Sequence, residues 1–204
     1  MTSPFQRHEE ITLAEYLEFE DGIRRGIEVI DGVAFPREQR SRGHQQLGRR
    51  LANALETAVA KARRDTGSGA PCIEVNTEIE VVLWEVPLNI RIPDVVVYRC
   101  IPAGEWVTAA DVLIAVEVLS RNSVRRDRFH KMADYAKAGI PHYWLVDWDD
   151  QGALIIEHYA LMGDGSAYLK VGVAHRDRDQ PALNLTSPLS LWIDWGDLEI
   201  GPPA

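Results

Sequence analysis

The chain of 204 residues has only two cysteines, Cys72 and Cys100. Their spacing matches no zinc-binding pattern, and two thiols are too few for a disulfide framework, so both are expected reduced, in a cytoplasmic protein. No apolar run approaches the roughly 18 residues that span a bilayer, which excludes a membrane helix. The stretch Met1 to Glu10 has no apolar centre, so no secretory leader is expected. No repeat and no low-complexity segment occurs. Positive charge is also short, with 22 Lys and Arg against 31 Asp and Glu and a formal net charge of −9. That balance argues against indiscriminate coating of nucleic acid, because such affinity comes from neutralising phosphates. What remains, 46% hydrophobic and 26% charged residues, is the composition of a globular chain of one domain, residues 1–204.

Charge is unevenly spread. Arg37 to Arg64 holds eight lysines and arginines against Glu38 and Glu56, and Arg121 to Lys131 holds five against Asp127. Beyond Val146 acids dominate. Two readings fit: a basic nucleic-acid surface beside an acidic one, or solvated helix faces.

Thr12-Leu-Ala-Glu15 is a capping box, so a short helix runs to about Glu20. Ile27–Ile30 and Val33–Phe35 flank Asp31-Gly32, a hairpin signal. Arg42 to Arg64 reads as one helix with an apolar stripe of Leu47, Leu51, Leu55, Ala58, Val59 and Ala62. His44 falls on that stripe, as an active-site group or as a capping or packed histidine. Alternation from Cys72 to Trp84 predicts a strand or strand pair with one wet face. A helix over Arg125–Ala138 ends at Gly139, followed by Ile140-Pro141. Its apolar stripe is Phe129, Met132, Ala133 and Ala136. Asp127, Lys131 and Tyr135 lie on a neighbouring stripe at i, i+4 and i+8. Further strands are expected over His142–Asp147, Ala153–Leu161, Ala167–Val173 and Leu189–Asp194, and the strand-helix-strand order before Asp147 predicts a right-handed crossover.

Two apolar segments each carry one acid. Ile90 to Tyr98 contains Pro93-Asp94, and Val112 to Ser120 contains Glu117. Both read as buried strands. Glu117 sits in an unbroken apolar run, where an ionised carboxylate is unfavourable by several kcal/mol unless a cation meets it. The partner is an arginine, a lysine or a metal ion. Pro93 cannot donate to a sheet ladder and marks a strand start or an edge.

The ordered set Pro93-Asp94, Glu117-Val-Leu-Ser120, Asp127-x-x-x-Lys131-x-x-x-Tyr135 and Gly139-Ile-Pro-His-Tyr-Trp-Leu-Val-Asp147 resembles the Uma-type restriction endonuclease family of the PD-(D/E)XK nuclease superfamily. The resemblance spans about residues 12–195. It implies an α/β (α+β) fold: a restriction-endonuclease-like mixed β-sheet flanked by helices, with additional antiparallel strands. It implies a Mg²⁺- or Mn²⁺-dependent endonuclease that hydrolyses phosphodiester bonds in DNA; cleavage of two strands would suit a two-fold homodimer. Asp94 and Glu117 would hold the metal, with the carbonyl of Val118 as third ligand, and are expected on adjacent strands with carboxylates about 4–6 Å apart. Glu28 and His44 stand where the family pattern carries an acid and a histidine; for Glu28 a solvent-facing strand position is the alternative. The superfamily lysine normally follows the glutamate by two residues, and here Leu119 stands there. Lys131 is expected to replace it, within about 5 Å of the acids; the alternative is an exposed pair with Asp127. Two other functions compete: a catalytically inactive nuclease-fold protein that binds nucleic acid or a protein partner, and an unrelated carboxylate enzyme such as a glycoside hydrolase.

Overall fold

The computed structural model describes residues 10–67, 69–120, 126–176, 182–185 and 191–198. Thr12 caps α1 (Leu13–Leu17) through the capping box foreseen above, and α2 (Asp21–Arg24) follows. β1 (Ile27–Ile30) and β2 (Val33–Pro36) form the hairpin. Asp31 and Gly32, at φ 48° and 75°, take the left-handed conformations that a two-residue turn of this kind needs. A Cβ at Gly32 would lie 2.7 Å from Glu10 Cβ, so only glycine fits. The long helix α3 (Arg42–Thr66) starts at Ser41, whose hydroxyl accepts from the backbone N–H of His44 at 3.2 Å.

Two stretches divide in two: Cys72–Trp84, for which a strand or strand pair was expected, and Ile90–Tyr98, which read as one strand. Cys72–Trp84 divides into β3 (Ile73–Thr77) and β4 (Val81–Glu85), because Glu78 adopts φ 54° and turns the chain. Ile90–Tyr98 divides into the end of β5 (Leu88–Arg91) and β6 (Val95–Arg99), with Pro93-Asp94 at the bend. β7 (Val112–Val118) follows. A π-helical turn over Arg126–Lys131 then runs into α4 (Met132–Lys137). The first residue of the helix expected over 125–138 lies outside the described residues. β8 (His142–Trp148), β9 (Leu154–Leu161), β10 (Tyr168–His175), β11 (Ala182–Leu185) and β12 (Leu191–Asp194) complete the strands. β11 had no counterpart in the sequence reading, and residues 189–190 of the expected last strand lie outside the described residues.

The strands make three sheets, ordered β2-β1-β5-β4, β10-β9-β8-β7-β6-β3 and β11-β12. β7 and β8 are parallel, and every other strand pair is antiparallel. The six-stranded sheet is therefore mixed, as expected. Its central strand β7 is buried along its whole length, which is why that segment reads as a continuous apolar run. Ile114, Val116 and Val118 pack with Leu47, Leu51 and Leu55 of α3. The alternate positions Ala115 and Leu119 pack with Tyr135, Ile140 and Tyr143 on the other face. Period-two alternation puts Glu117 on that second face, beneath the helix that follows.

That helix follows the expected burial only in part: Ala136 is buried and Met132 packs against the core, but the rest of the apolar stripe faces outward. Phe129 is 67% exposed and Ala133 is exposed, whereas Asp127, Lys131 and Tyr135 are 0–1% exposed. The polar stripe faces the sheet because Glu117 lies there, and a buried acid is tolerated only beside groups that neutralise it. Cys72 and Cys100 also differ from expectation: they form a disulfide. They sit one step beyond the Ile73–Arg99 pair of β3 and β6, where antiparallel pairing brings their Cα atoms to 5.4 Å. No helix among the described residues is long and apolar enough to cross a membrane.

Candidate metal centre

The antiparallel pairing of β6 and β7 matches Val95 with Val116. One step further along, the bend at Pro93 brings Asp94 opposite Glu117. Asp94 is 2% exposed and Glu117 is fully buried. Asp94 Oδ2 accepts from the backbone N–H of Val118 at 2.8 Å and lies 3.1 Å from His44 Nε2. Glu117 Oε1 accepts from Lys131 Nζ at 2.7 Å and from the Tyr135 hydroxyl at 2.8 Å.

The remaining expected residues meet here too. Lys131 Nζ lies 3.4 Å from Glu28 Oε1 and 3.7 Å from Asp127 Oδ1. It reaches the strand because the helical stripe of Asp127, Lys131 and Tyr135 faces it. Glu28 is buried rather than solvent-facing: Oε2 accepts from Arg91 Nη1 at 3.0 Å, and Oε1 from the Ile92 N–H at 3.2 Å. Arg91, 1% exposed, also pairs with Asp134 through Nε at 3.0 Å and through Nη2. His44 serves both as the capped third residue of α3 and as a contact of the cluster, its Nε2 lying 2.8 Å from the Val118 carbonyl oxygen.

Two arginines were not foreseen. Arg91 did leave a signal: it is a charge within the apolar segment 88–92, as Glu117 is within its own. Arg40 left none, being one of two arginines, with Arg37, in the irregular stretch before α3. Its Nη2 lies 2.9 Å from Asp94 Oδ1 and 3.7 Å from Glu117 Oε2.

Electrostatics separates the two central acids. Burial raises the Glu117 carboxyl and Asp94 and Asp127 add to the rise; Lys131 and Arg40 oppose it, and the result is about 8. Burial also acts to raise Asp94, but the His44 hydrogen bond and the charge of Arg40 outweigh it and hold Asp94 at about 2. Burial would lower Lys131, yet Glu117, Glu28, Asp127 and Asp94 together carry it above the ordinary lysine value. Glu28 is brought down to about 2 against its burial, chiefly by Lys131 and Arg91. Two carboxylates this close with opposite shifts are a feature of sites that bind cations or move protons.

Among the described residues no group of three or more His, Cys, Asp or Glu side chains is arranged to hold a metal ion. Two acids nonetheless suffice for Mg²⁺, which takes oxygen ligands and retains several waters. Asp94 Oδ1 and Glu117 Oε2 are buried and neither has a hydrogen bond, and both face one cationic nitrogen. That donor set fits a divalent cation. The Val118 carbonyl is less available, since it already lies against His44 Nε2. A cleft of about 100 Å³ lined by His44, Gln45, Gly48, Arg49, Thr77 and Glu78 reaches Asp94.

A mixed central sheet between helices, with two acids facing each other across its central strands, defines a restriction-endonuclease-like fold. The crystal structure of a "putative nuclease belonging to DUF820" from Anabaena variabilis has the same fold: TM-score 0.61 at 16% identity, covering 92% of this chain and 97% of that one. The sequence model of the Uma2 family, described as "Putative restriction endonuclease", matches residues 13–196. The chain belongs to that family. A comparison with curated proteins finds no match.

Proposed function

We propose that this protein is a divalent-metal-dependent DNA endonuclease, with Asp94 and Glu117 holding Mg²⁺ or Mn²⁺ and Lys131 acting beside them. The observation that carries the reading is that Lys131 reaches Glu117 at 2.7 Å, which makes good the absence of a lysine at Leu119. A bound divalent cation would supply Lewis-acid polarisation of the phosphodiester and a water of lowered pKa. The chain's own groups do the rest. Asp94 is kept ionised by His44 and Arg40 and so is ready to accept a cation at neutral pH. Glu117 carries a proton more readily than an ordinary carboxyl, so loading it with metal releases that proton. Lys131 keeps its charge in the absence of water and holds Glu117 in place; its ammonium is the positive group available to the phosphate as charge develops. Glu28 acts at one remove, by orienting Lys131 from the side of Arg91.

The second reading is a nuclease-fold protein that binds DNA or a protein without cutting. It is favoured by Leu119 and by the near-complete burial of Lys131, which is already engaged by three acids. Cleavage of plasmid DNA separates the two. Activity in Mg²⁺ or Mn²⁺, lost with chelator and lost at least about 100-fold in Asp94→Asn with an unchanged circular dichroism spectrum, is the expected result. Full activity of Asp94→Asn overturns the site, and no cleavage by the parent protein under any divalent ion favours the binding reading.

A further inference from the structure

The Arg40 side chain is 7% exposed, and its Nη2 approaches Asp94 Oδ1 at 2.9 Å and Glu117 Oε2 at 3.7 Å. Yet neither oxygen has a hydrogen bond, and neither do Arg40 Nε and Nη1. An arginine that recognises a carboxylate normally lays its planar fork against both oxygens and makes two parallel bonds. Here one nitrogen is wedged between two different acids, and four buried polar atoms stay unbonded, an unfavourable state. The contact supplies positive charge without matching geometry. Lys131 and Tyr135, by contrast, hold Glu117 Oε1 with short, well-formed bonds. Each central acid therefore has one oxygen secured by the protein and one facing only this guanidinium. Arg40 also stands in the irregular stretch before Ser41, outside any helix or strand, so its departure would unravel no element.

We propose that Arg40 is an exchangeable counter-ion: it neutralises Asp94 and Glu117 while no metal is bound and yields its place to a divalent cation, so that guanidinium and metal compete for the same two oxygens. The inference rests on the metal-dependent reading above. It makes Arg40 a residue that sets metal affinity, and it explains how two buried acids remain folded before the metal arrives.

The test is Mn²⁺ binding to the full chain by calorimetry, without DNA, in the parent and in Arg40→Gln. Arg40→Gln is expected to bind Mn²⁺ at least tenfold more tightly. In chelator it should melt below the parent, and in saturating Mn²⁺ the gap should close. Equal or weaker binding by the variant, while the parent binds Mn²⁺ and cleaves DNA, overturns the counter-ion role and leaves the nuclease reading standing. No Mn²⁺ binding by the parent overturns both. A measurement on the parent alone covers a variant that does not fold: the Arg40 Nε–H resonance, assigned with Arg40→Lys, should shift on titration with Mg²⁺. A resonance unmoved at saturating Mg²⁺ overturns the proposal.

Discussion

Lys131 Nζ lies 2.7 Å from Glu117 Oε1, and the two residues belong to different elements, a π-helical turn and the central strand. The helix that follows the strand folds back over it, so a lysine outside the strand meets the strand's own acid. Leu119, two residues after Glu117 and on the same face, is packed into the core instead. The cation that meets Glu117 therefore comes from the following helix and not from the strand itself.

Lys131→Ala removes the cation that Glu117, Glu28 and Asp127 share. Breaking a buried pair of this kind costs about 3–5 kcal/mol, so a large fall in the denaturation midpoint is expected, with loss of cleavage. Adding Leu119→Lys should recover part of both, because that side chain starts on the same face as Glu117. Urea titration and plasmid cleavage of the single and double variants check this. A Lys131→Ala protein as stable and as active as the parent would remove the lysine from the centre.

Glu28→Gln leaves Arg91 and Lys131 short of one negative charge. The expected loss is about 3 kcal/mol of stability. The parent's Glu28 is held at about 2, below its ordinary value, so its stabilising contribution is present above about pH 4.5 and fades as pH falls toward 2. The stability gap between parent and Glu28→Gln, followed by urea titration from pH 7 to 3, should narrow on the acid side.

The Cys72–Cys100 disulfide spans a sequence separation of 28, and a cross-link over such a loop contributes about 3–4 kcal/mol by restricting the unfolded chain. Thiol titration of the denatured, unreduced protein should find no free thiol. Dithiothreitol, or Cys100→Ser, should lower the melting temperature by several degrees. Cleavage should survive, because the pair lies at the far end of β6 from Asp94.

His142 and His158 face each other on β8 and β9, Nδ1 to Nε2 at 2.9 Å. Burial, and then the neighbouring His158, push His142 down to about 4. The unfolded state therefore takes up this proton first, near pH 6.5, and the contribution is present above that value and lost as pH falls toward 4. It amounts to about 3 kcal/mol at most. Glu117, raised to about 8, acts in the opposite direction, its contribution being lost as pH rises toward 8. The difference between parent and His142→Gln isolates the histidine: the stability advantage of the parent should shrink from pH 7 to pH 4.5. A constant difference would contradict it.

The sequence alone determined the local elements and the acids. The capping box at Thr12, the Asp31-Gly32 turn, the α3 stripe and the buried run around Glu117 were legible because each is a matter of neighbouring residues and their spacing. The ordered set of motifs also gave the family. Tertiary structure decided which charges meet. The apolar content of Phe129, Met132, Ala133 and Ala136 pointed one face of the last helix inward, but the buried acid of a strand several residues away turned the Asp127-Lys131-Tyr135 face toward the sheet. Cys72 and Cys100 were paired by the register of β3 and β6, and no spacing reveals register between strands. Glu78 decided that Cys72–Trp84 is a strand pair, and the Pro93-Asp94 bend broke the strand expected over Ile90–Tyr98, each division placing its two halves in different sheets. Arg40 is the extreme case: an arginine in an irregular stretch, unmarked by any pattern, brought between two acids by the chain's path. Side-chain spacing fixes what a segment prefers, while long-range electrostatics and register fix what it touches.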